Sequence, residues 1–299
     1  MMNSKKIEGI LPALITPLES DNRTVNTVVA KQLIDFQLAQ GADGFYVLGG
    51  TGEGLVIDRE QREIMCETVI RHVAHRKPII VHIAAMNFRE AVELAKHAEQ
   101  AGADAIAAIP PCFFFYDNND LYEYYKSLAG AVQIPLIIYY HPGAQKTMSP
   151  ELIARIFEID NVTGVKWSSG DLFSMMKLKD LTQGDMNIIN GPDELLCPGL
   201  AAGADAGIGS TYNVMLPQFL EIYRAIRSGD TERARTVQFR VNRVIDVMLR
   251  HEVIPSVKFA AELLGFPVGD ATFPMRRMSN EQRKMLQAEL HRVGFPLCD

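Results

Sequence analysis

The sequence predicts an α/β fold, namely a (β/α)8 TIM barrel with a C-terminal helical extension. Two observations lead to this prediction. Short apolar segments, each followed by a helical or turn segment, alternate eight times over roughly the first 225 residues. Beyond Gly229 the pattern is helical only. We therefore expect a barrel that carries the functional site at residues 1–228, with a helical extension packed on it at 229–299.

Length and periodicity separate the strands from the helices. Short apolar runs predict strands at residues 9–17, 44–48, 78–83, 105–109, 134–140, 162–166, 186–190 and 204–208. Helical spacing predicts helices at 25–40, 58–74, 87–101, 121–132, 149–159, 172–181, 231–250, 255–264 and 280–293. A doubly wound sheet is the alternative, but no G-x-G-x-x-G motif follows the first strand to support a nucleotide site.

Composition excludes several classes of protein. The net charge is −6 and no basic stripe stands out, which argues against nucleic-acid binding. No apolar run reaches the ~18 residues of a membrane helix, and residues 1–7 contain no apolar signal core. The cysteines are widely spaced, which suggests reduced thiols rather than disulfides or a zinc site: Cys66, Cys112, Cys197 and Cys298. We expect a cytoplasmic protein.

Lys166 is the first candidate for chemistry. It ends a short strand, lies beside the only tryptophan of the chain, and is followed at once by polar residues and a glycine. Strand alternation puts Lys166 on the face of Gly164 and opposite Val165. Burial disfavours the charged form of a lysine, and a neutral amine can attack a carbonyl carbon to form a Schiff base. The alternative is a lysine that leaves the strand for solvent.

The residues after the other strands also matter, because active sites of barrels lie at the carboxyl ends of the strands. After the second strand, residues 49–54 read Gly-Gly-Thr-Gly-Glu-Gly. The glycines allow backbone N–H groups to approach an anion, and Thr51 adds a hydroxyl donor. This loop could bind a carboxylate or phosphate, although a tight strand-to-helix turn uses glycines as well.

The fifth strand ends in Tyr139, Tyr140 and His141. The two tyrosines face opposite ways, so at most one points into the mouth of the barrel. Tyrosine and histidine can both transfer protons. The alternative is that one tyrosine packs outward under a helix and that His141 is only a loop residue.

The last two strands end in polar segments without a basic residue. Asp193 and Glu194 follow the seventh strand and could accept hydrogen bonds from a polyol, or could simply charge the first turn of a helix. Residues 207–213 after the eighth strand favour a neutral or carboxylate ligand. No Asp-x-Asp or His-x-His spacing occurs at any strand end, so we expect a site without metal.

Three segments together resemble the dihydrodipicolinate synthase / N-acetylneuraminate lyase superfamily of class I, Schiff-base aldolases. They are Lys-Trp-Ser-Ser-Gly-Asp-Leu at 166–172, Asn-Gly-Pro-Asp-Glu at 190–194 and the glycine-rich 203–213. The resemblance covers nearly the whole chain and is closer to the sialic acid lyase branch. It implies a homotetramer that takes pyruvate and a keto sugar acid, with no cofactor apart from the covalent Schiff base through Lys166.

The resemblance also implies roles for individual residues. Lys166 would form the Schiff base, and Tyr139 would shuttle a proton, because it lies four residues after Pro135 as the family's tyrosine follows its own proline. Gly50 and Thr51 would hold the carboxylate of pyruvate. The remaining substrate-binding positions would be Ser168, Gly191, Asp193, Glu194, Gly209 and Ser210.

The chain departs from the family pattern at several places. Gly50 stands where the family usually has serine or threonine, so one hydroxyl of the expected proton relay is missing. Phe113 and Phe114 stand where many members have a tyrosine that is lent by a neighbouring subunit. The loop 143–147 lacks the arginine of the synthase branch, although Lys146 could partly substitute, and this loop is one residue shorter than in bacterial lyases.

Three functions remain open at this point. The first is a lyase that cleaves N-acetylneuraminate to N-acetylmannosamine and pyruvate. The second is another pyruvate-dependent aldolase, such as a 2-keto-3-deoxy sugar acid aldolase or dihydrodipicolinate synthase. The third is a barrel without catalytic activity that binds a keto acid, which Gly50 and the phenylalanines suggest and which Lys166 with Tyr139 argues against.

Overall fold

Parallel strands form a closed barrel in the computed structural model, which describes residues 6–143 and 148–296. In this part of the chain the strands are β1 (Gly9–Pro12), β2 (Phe45–Val47), β3 (Ile79–His82), β4 (Ala105–Ala108), β5 (Leu136–Tyr140), β6 (Val162–Trp167), β7 (Asn187–Asn190) and β8 (Ala206–Gly209). Their order is β1-β8-β7-β6-β5-β4-β3-β2. A parallel bridge between Ala13 and Tyr46 joins the two ends of this order. The predicted (β/α)8 barrel is therefore confirmed.

Helices alternate with the strands and then continue beyond them. They are α1 (Thr27–Gln40), α2 (Arg59–Val73), α3 (Phe88–Ala101), α4 (Asn118–Ala129), α5 (Pro150–Phe157), α6 (Leu172–Leu181), α7 (Leu196–Ala201), α8 (Tyr212–Ser228), α9 (Thr231–Arg250), α10 (Val253–Leu263) and α11 (Asn280–Arg292). A short 3-10 helix, Asp193–Leu195, precedes α7. None of the helices in the described ranges is both long and apolar enough to cross a membrane.

The strands are buried on both faces, because one face lines the interior of the barrel and the other meets the helices. Alternate residues therefore belong to two different cores. The interior core contains Leu11, Tyr46, Ile80, Ala107, Ile137, Ile189 and Ile208, among others. The outer core contains Ile10, Val47, Val81, Ile138 and Ile188 together with the helix faces. The interior is thus filled with side chains, and only its carboxyl end is open to a ligand.

The element boundaries differ from the sequence predictions at a few places. The first strand ends at Pro12 rather than 17, and Ala13 makes only an isolated bridge. Helix α4 begins three residues earlier than predicted because Asp117 forms a capping box with Asp120. The 3-10 helix and α7 were not predicted, because they are too short to show a helical period, and α8 was not among the predicted helices either.

The C-terminal helices pack on the barrel through α8. Helix α9 lies along α8, α10 contacts both, and α11 contacts α9. The chain turns between α8 and α9 at Gly229, whose φ of 83° lies in the left-handed region that favours glycine. The division into a barrel at 1–228 and an extension at 229–299 is consistent with this turn and stays a prediction.

Candidate active site

The carboxyl ends of the strands open into a pocket of about 280 Å³. Its lining combines an amine, two phenols, an imidazole, hydroxyl groups and one carboxylate. The lining residues are Ala13, Tyr46, Gly50, Thr51, Tyr139, His141, Lys166, Ser168, Gly170, Gly191, Pro192, Glu194, Ile208 and Ser210. The structure therefore brings most of the sequence-predicted site residues together in one place.

Lys166 lies at the floor of this pocket and is only 6% exposed. Its neighbours Val165 and Trp167 point the other way, into the outer core, as strand alternation requires. The Nζ of Lys166 donates a hydrogen bond to Ser168 Oγ at 3.1 Å. It also lies 3.9 Å from the ring centroid of Tyr139. The amine is thus close to the phenol of one tyrosine and to one hydroxyl, inside a nearly closed barrel.

The two tyrosines of β5 separate as alternation predicts. Tyr139 pairs with Lys166 in the register of β5 and β6, and its side chain lines the pocket. Tyr140 instead points outward and packs against Trp167, with ring centroids 4.4 Å apart. Of these two tyrosines, Tyr139 is therefore the one in a position to exchange a proton with a ligand beside Lys166.

The glycine-rich loop forms the opposite wall of the pocket. The hydroxyls of Thr51 and Ser210 are 2.6 Å apart and hydrogen-bonded, which connects the loops after β2 and β8. Gly50 faces Tyr139, and a Cβ atom placed on Gly50 would lie 3.9 Å from the phenolic oxygen. This distance is an ordinary contact, so the wall has room for a serine at this position.

The adjacent carboxylates after β7 go to different places. Glu194 is exposed and lines the pocket. Asp193 is 7% exposed and does not reach the pocket wall, because it accepts hydrogen bonds from the N–H and the hydroxyl of Thr211 at 2.7 and 2.6 Å. Burial raises the pKa of Asp193 to about 6, against the opposing effect of these hydrogen bonds. The proposed contact of Asp193 with the substrate stays a prediction.

The two glycines among the predicted site residues also differ. Gly191 lines the pocket, and a Cβ atom there would lie 2.1 Å from Ser168 Oγ, so a larger residue would displace this hydroxyl. Gly209 lies behind the wall, where a Cβ atom would lie 2.2 Å from an oxygen of Asp193. Gly209 therefore leaves space for the buried carboxylate of Asp193, and its proposed contact with the substrate stays a prediction.

Tyr46 lines the pocket and was missed by sequence reasoning, and His141, for which the sequence left a proton-transfer role and a plain loop role open, lines it as well. His141 lies in the loop after β5, but its ring also borders the pocket, and Nδ1 accepts the N–H of Gly143 at 3.1 Å. Burial, and then the charge of Lys166, lower the pKa of His141. Tyr46 is buried with its phenolic oxygen unpaired among the described residues, and burial raises its pKa. Its place on the inward face of β2 was the available signal.

A buried histidine, His82, packs against the ring of Tyr139. His82 is buried, and its Nδ1 lies 3.1 Å from the carbonyl oxygen of Leu48. Burial lowers the pKa of His82 to about 3, and the positive charge of Arg62 acts in the same direction. The imidazole is therefore uncharged at neutral pH, and it meets the ring of Tyr139 edge-on at 5.8 Å.

Three other expectations concern residues away from this pocket wall. Within the described ranges, no group of three or more histidine, cysteine, aspartate or glutamate side chains could hold a metal ion. Phe113 and Phe115 are exposed at the surface, 86% and 83% respectively. The loop in which Lys146 could substitute for an arginine falls at 144–147, outside the described residues.

This geometry is suited to chemistry on a carbonyl compound. A buried amine can attack a carbonyl carbon, a neighbouring phenol can move a proton, and the loop at Gly50 and Thr51 offers donors to an anion. A sequence model of the dihydrodipicolinate synthetase family matches residues 6–293. The chain belongs to the dihydrodipicolinate synthetase family. Members of this family are lyases of the class I aldolase type, and this chain is accordingly a class I aldolase.

Relatives from both branches of the family match over most of their length. N-acetylneuraminate lyase from Rhizobium meliloti is 32% identical over 274 residues, covering 91% of this chain and 91% of that protein. Sialic acid aldolase from Aliivibrio salmonicida has a TM-score of 0.92 at 30% identity, covering 97% and 98%. Dihydrodipicolinate synthase from Acinetobacter baumannii, solved with pyruvate, has a TM-score of 0.91 at 28% identity, covering 96% and 99%. The resemblance in sequence is thus confirmed at the level of the family.

Proposed function

We propose that this aldolase cleaves N-acetylneuraminate to N-acetylmannosamine and pyruvate by a retro-aldol reaction. The observation that carries the proposal is the pairing of Lys166 with Tyr139 at the floor of a polar-walled pocket. The similarity to N-acetylneuraminate lyases, at 32% identity over 91% of the chain, supports this substrate.

The first step is formation of the Schiff base. The Nζ of Lys166 attacks the C2 keto carbon of the open-chain sugar acid, and the keto oxygen leaves as water, which gives an iminium ion. The carboxylate next to C2 accepts hydrogen bonds from the backbone at Gly50 and from the Thr51 hydroxyl. These donors orient the keto carbon toward the amine.

The second step breaks the C3–C4 bond. Tyr139 relays the proton of the C4 hydroxyl, C4 becomes the aldehyde carbon of N-acetylmannosamine, and the electron pair of the broken bond moves into the iminium to form an enamine. The proton returns to C3, and water then hydrolyses the pyruvate iminium to free pyruvate and the amine of Lys166. Proton transfer of this kind contributes ~10²–10⁴-fold to a rate.

The rest of the pocket would bind the hydroxylated chain of the sugar. Glu194 presents a carboxylate to the pocket and can accept hydrogen bonds from two hydroxyls. Ser168 and Ser210 add hydroxyl groups, and Gly191 keeps the wall open. Asp193 acts from behind this wall by fixing the Thr211 backbone beside Ser210. The reaction requires no metal or cofactor, because the iminium itself is the electron sink.

Condensation of pyruvate with an aldehyde is the second candidate, together with cleavage of a shorter 2-keto-3-deoxy sugar acid. The structural similarity to the Acinetobacter baumannii dihydrodipicolinate synthase, with a TM-score of 0.91, supports the condensation as a candidate. The two reactions share the Schiff base at Lys166 and differ in the second reactant. The outer part of the pocket, where Glu194 lies, must therefore determine which of the two reactions the protein catalyses.

We further propose that the protein is a cytoplasmic homotetramer. Phe113 and Phe114 form an exposed aromatic pair that a neighbouring subunit could cover. Cys66, Cys112 and Cys197 are free thiols, which fits a reducing compartment. Sedimentation should give four times the chain mass of 33.3 kDa. A monomer at micromolar concentration would contradict the tetramer.

The test of the substrate is a comparison of turnover with three reactants: N-acetylneuraminate, 2-keto-3-deoxygluconate, and pyruvate plus aspartate semialdehyde. We expect the highest kcat/KM with N-acetylneuraminate. The variant E194Q should reduce that value by roughly tenfold, since a hydrogen bond to a charged group contributes ~1.5–3 kcal/mol. E158Q, at the exposed end of α5 on the other side of the barrel, is the control. Unchanged turnover in E194Q would remove the sialic acid assignment.

A further inference from the structure

A buried ion pair connects the glycine-rich loop with the C-terminal extension. Glu53 of the loop and Lys258 of α10 approach to 2.5 Å, with side chains 0% and 2% exposed. Charged side chains are almost never fully buried unless they are paired, and removing one partner leaves an uncompensated charge. A pair this deeply buried must therefore persist as a unit, and it fixes the distance between two distant parts of the chain.

Both partners are held by further bonds to one segment of the extension. The second oxygen of Glu53 accepts the N–H of Thr272, and Lys258 Nζ donates to the carbonyl oxygen of Asp270 at 2.9 Å. Burial lowers the pKa of Lys258, and the nearby charge of Glu53 acts against this. The segment between α10 and α11 thus closes around the carboxylate of Glu53.

Glu53 also forms a backbone hydrogen bond within the glycine-rich loop. The backbone N–H of Glu53 donates to the carbonyl oxygen of Gly50 at 3.1 Å, and Gly54 donates to Gly49 at 3.1 Å. Glu53 has a φ of 59°, a left-handed conformation that costs energy in a residue with a side chain and persists only where the surroundings enforce it. The ion pair with Lys258 and the bond from Thr272 hold the side chain of Glu53 and so constrain that conformation.

Neither Glu53 nor Lys258 lines the pocket, so their effect on a ligand must pass through the backbone. We propose that the Glu53–Lys258 ion pair is a positioning device that holds Gly50 and Thr51 in the geometry that binds the carboxylate of the keto acid. This inference rests on the proposed role of Gly50 and Thr51 as carboxylate-binding residues. It gives the C-terminal extension a function in substrate affinity that its distance from Lys166 would not suggest.

The test measures affinity for pyruvate separately from chemistry and from stability. Wild type, E53Q, K258M and the double variant are incubated with increasing pyruvate and reduced with borohydride, and intact mass gives the trapped fraction. Circular dichroism first establishes which variants are folded. The control is K179M, which removes a different and only partly buried pair, Lys179 with Asp205 at 3.0 Å, at the amino end of the strands.

The expected result is a rise in half-saturating pyruvate of roughly tenfold or more in E53Q and K258M, as for loss of a charge-assisted hydrogen bond to the carboxylate. The trapped fraction at saturation should stay unchanged, because Lys166 is untouched. K179M should remain within about twofold of wild type. The double variant restores charge balance but not the constraint, so it should fold better than K258M while keeping the weaker affinity.

Three results would overturn the proposal. The first is unchanged half-saturation in folded E53Q or K258M, and the second is an equal rise in K179M. The third is failure of E53Q, K258M and the double variant to fold while K179M folds, since the pair would then serve folding alone. T51V separates this inference from the function on which it rests. If T51V also leaves pyruvate affinity unchanged, the assigned carboxylate site is wrong; if only T51V weakens it, the site stands and the positioning role falls.

Discussion

Lys166 and Lys258 are both almost fully buried, 6% and 1% exposed, yet the regions around them are organised in opposite ways. Lys258 meets the carboxylate of Glu53 and a backbone carbonyl, which together compensate its charge. Lys166 meets the hydroxyl of Ser168 and the ring faces of Tyr139 and Tyr46. Within residues 6–143 and 148–296, Lys166 takes part in no ion pair.

The difference shows how one fold assigns two roles to one residue type. At the junction of barrel and extension, the ammonium group of Lys258 is bound to the carboxylate of Glu53 and contributes to structure. At the pocket floor, the amine of Lys166 is bound to no carboxylate and faces the pocket, where it can attack a carbonyl carbon. Substitution of each lysine by methionine, which has a similar volume, should therefore give opposite results.

The largest effect is expected for K166M at the pocket floor. Loss of the nucleophile should reduce turnover by at least roughly 10⁴-fold. The free energy of unfolding should change by less than about 1 kcal/mol, because no ion pair is broken. Pyruvate release and urea denaturation measure the two quantities. Retention of more than a few per cent of activity would contradict the role of Lys166.

The next effect is expected for Y139F, which keeps the ring over Lys166 and removes the phenolic oxygen. Turnover should fall by ~10²–10⁴-fold, whereas pyruvate should still be trapped on the protein by borohydride. Y140F is the matched control, because Tyr140 packs outward against Trp167. Equal losses in the two variants would mean that the pocket-facing phenol has no special role.

At the junction, K258M should act on stability. The uncompensated Glu53 carboxylate should lower the free energy of unfolding by ~3–5 kcal/mol, as for other broken buried pairs. The double variant E53Q/K258M should recover part of this loss, because no charge is then left unpaired. Denaturant unfolding of K258M beside K166M makes the comparison directly. Equal stability of the two single variants would refute the contrast between the two regions.

A third buried charge gives a pH dependence. Asp193 has a pKa raised from 3.8 to about 6 by burial, so the folded chain holds a proton that the unfolded chain has lost between these values. The stability contributed by this group therefore falls as the pH rises through this window, by on the order of 3 kcal/mol, and is constant above it. The difference in unfolding free energy between wild type and D193N should follow this course. Parallel curves from pH 4 to 7 would contradict the raised pKa.

The smallest effect is expected for G50S in the pocket wall. The added hydroxyl should reach the phenolic oxygen of Tyr139, since a Cβ atom there lies 3.9 Å away. One hydrogen bond is worth ~0.5–1.5 kcal/mol, so turnover should rise by up to roughly tenfold with little change in stability. G54A is the contrasting control, because its Cβ atom would lie 1.8 Å from the carbonyl oxygen of Leu48 and should destabilise the loop. A fall in G50S turnover would mean that the open space serves the substrate.

Much of the fold and part of the site could be predicted because the relevant signals are local. Alternating apolar segments of strand and helix length predicted the barrel, and the placement of Lys166 at a strand end predicted a buried amine. Alternation alone established that Tyr139 and Tyr140 face opposite ways, but not which one faces inward. The family resemblance was needed for that choice.

The remainder depends on contacts between residues far apart in the sequence. Nothing near Glu53 indicates that its partner is Lys258 in the extension. In the sequence, Asp193 and Glu194 form one acidic pair. The 3-10 helix that contains both residues directs their side chains to different places, and it is too short to leave a periodic pattern. His82 reads as an ordinary strand residue, and only the closed barrel makes it a neutral support beneath Tyr139.

The most direct test of the role of Lys166 is reductive trapping with pyruvate. The protein is mixed with pyruvate and borohydride, its intact mass is taken, and the adduct is mapped by peptide sequencing. Wild type should gain one reduced pyruvate on Lys166, and K166M should gain none. No adduct on folded wild type would point to a barrel that binds a keto acid without catalysis. An adduct on Lys258 or any other lysine would mean that the nucleophile has been misplaced.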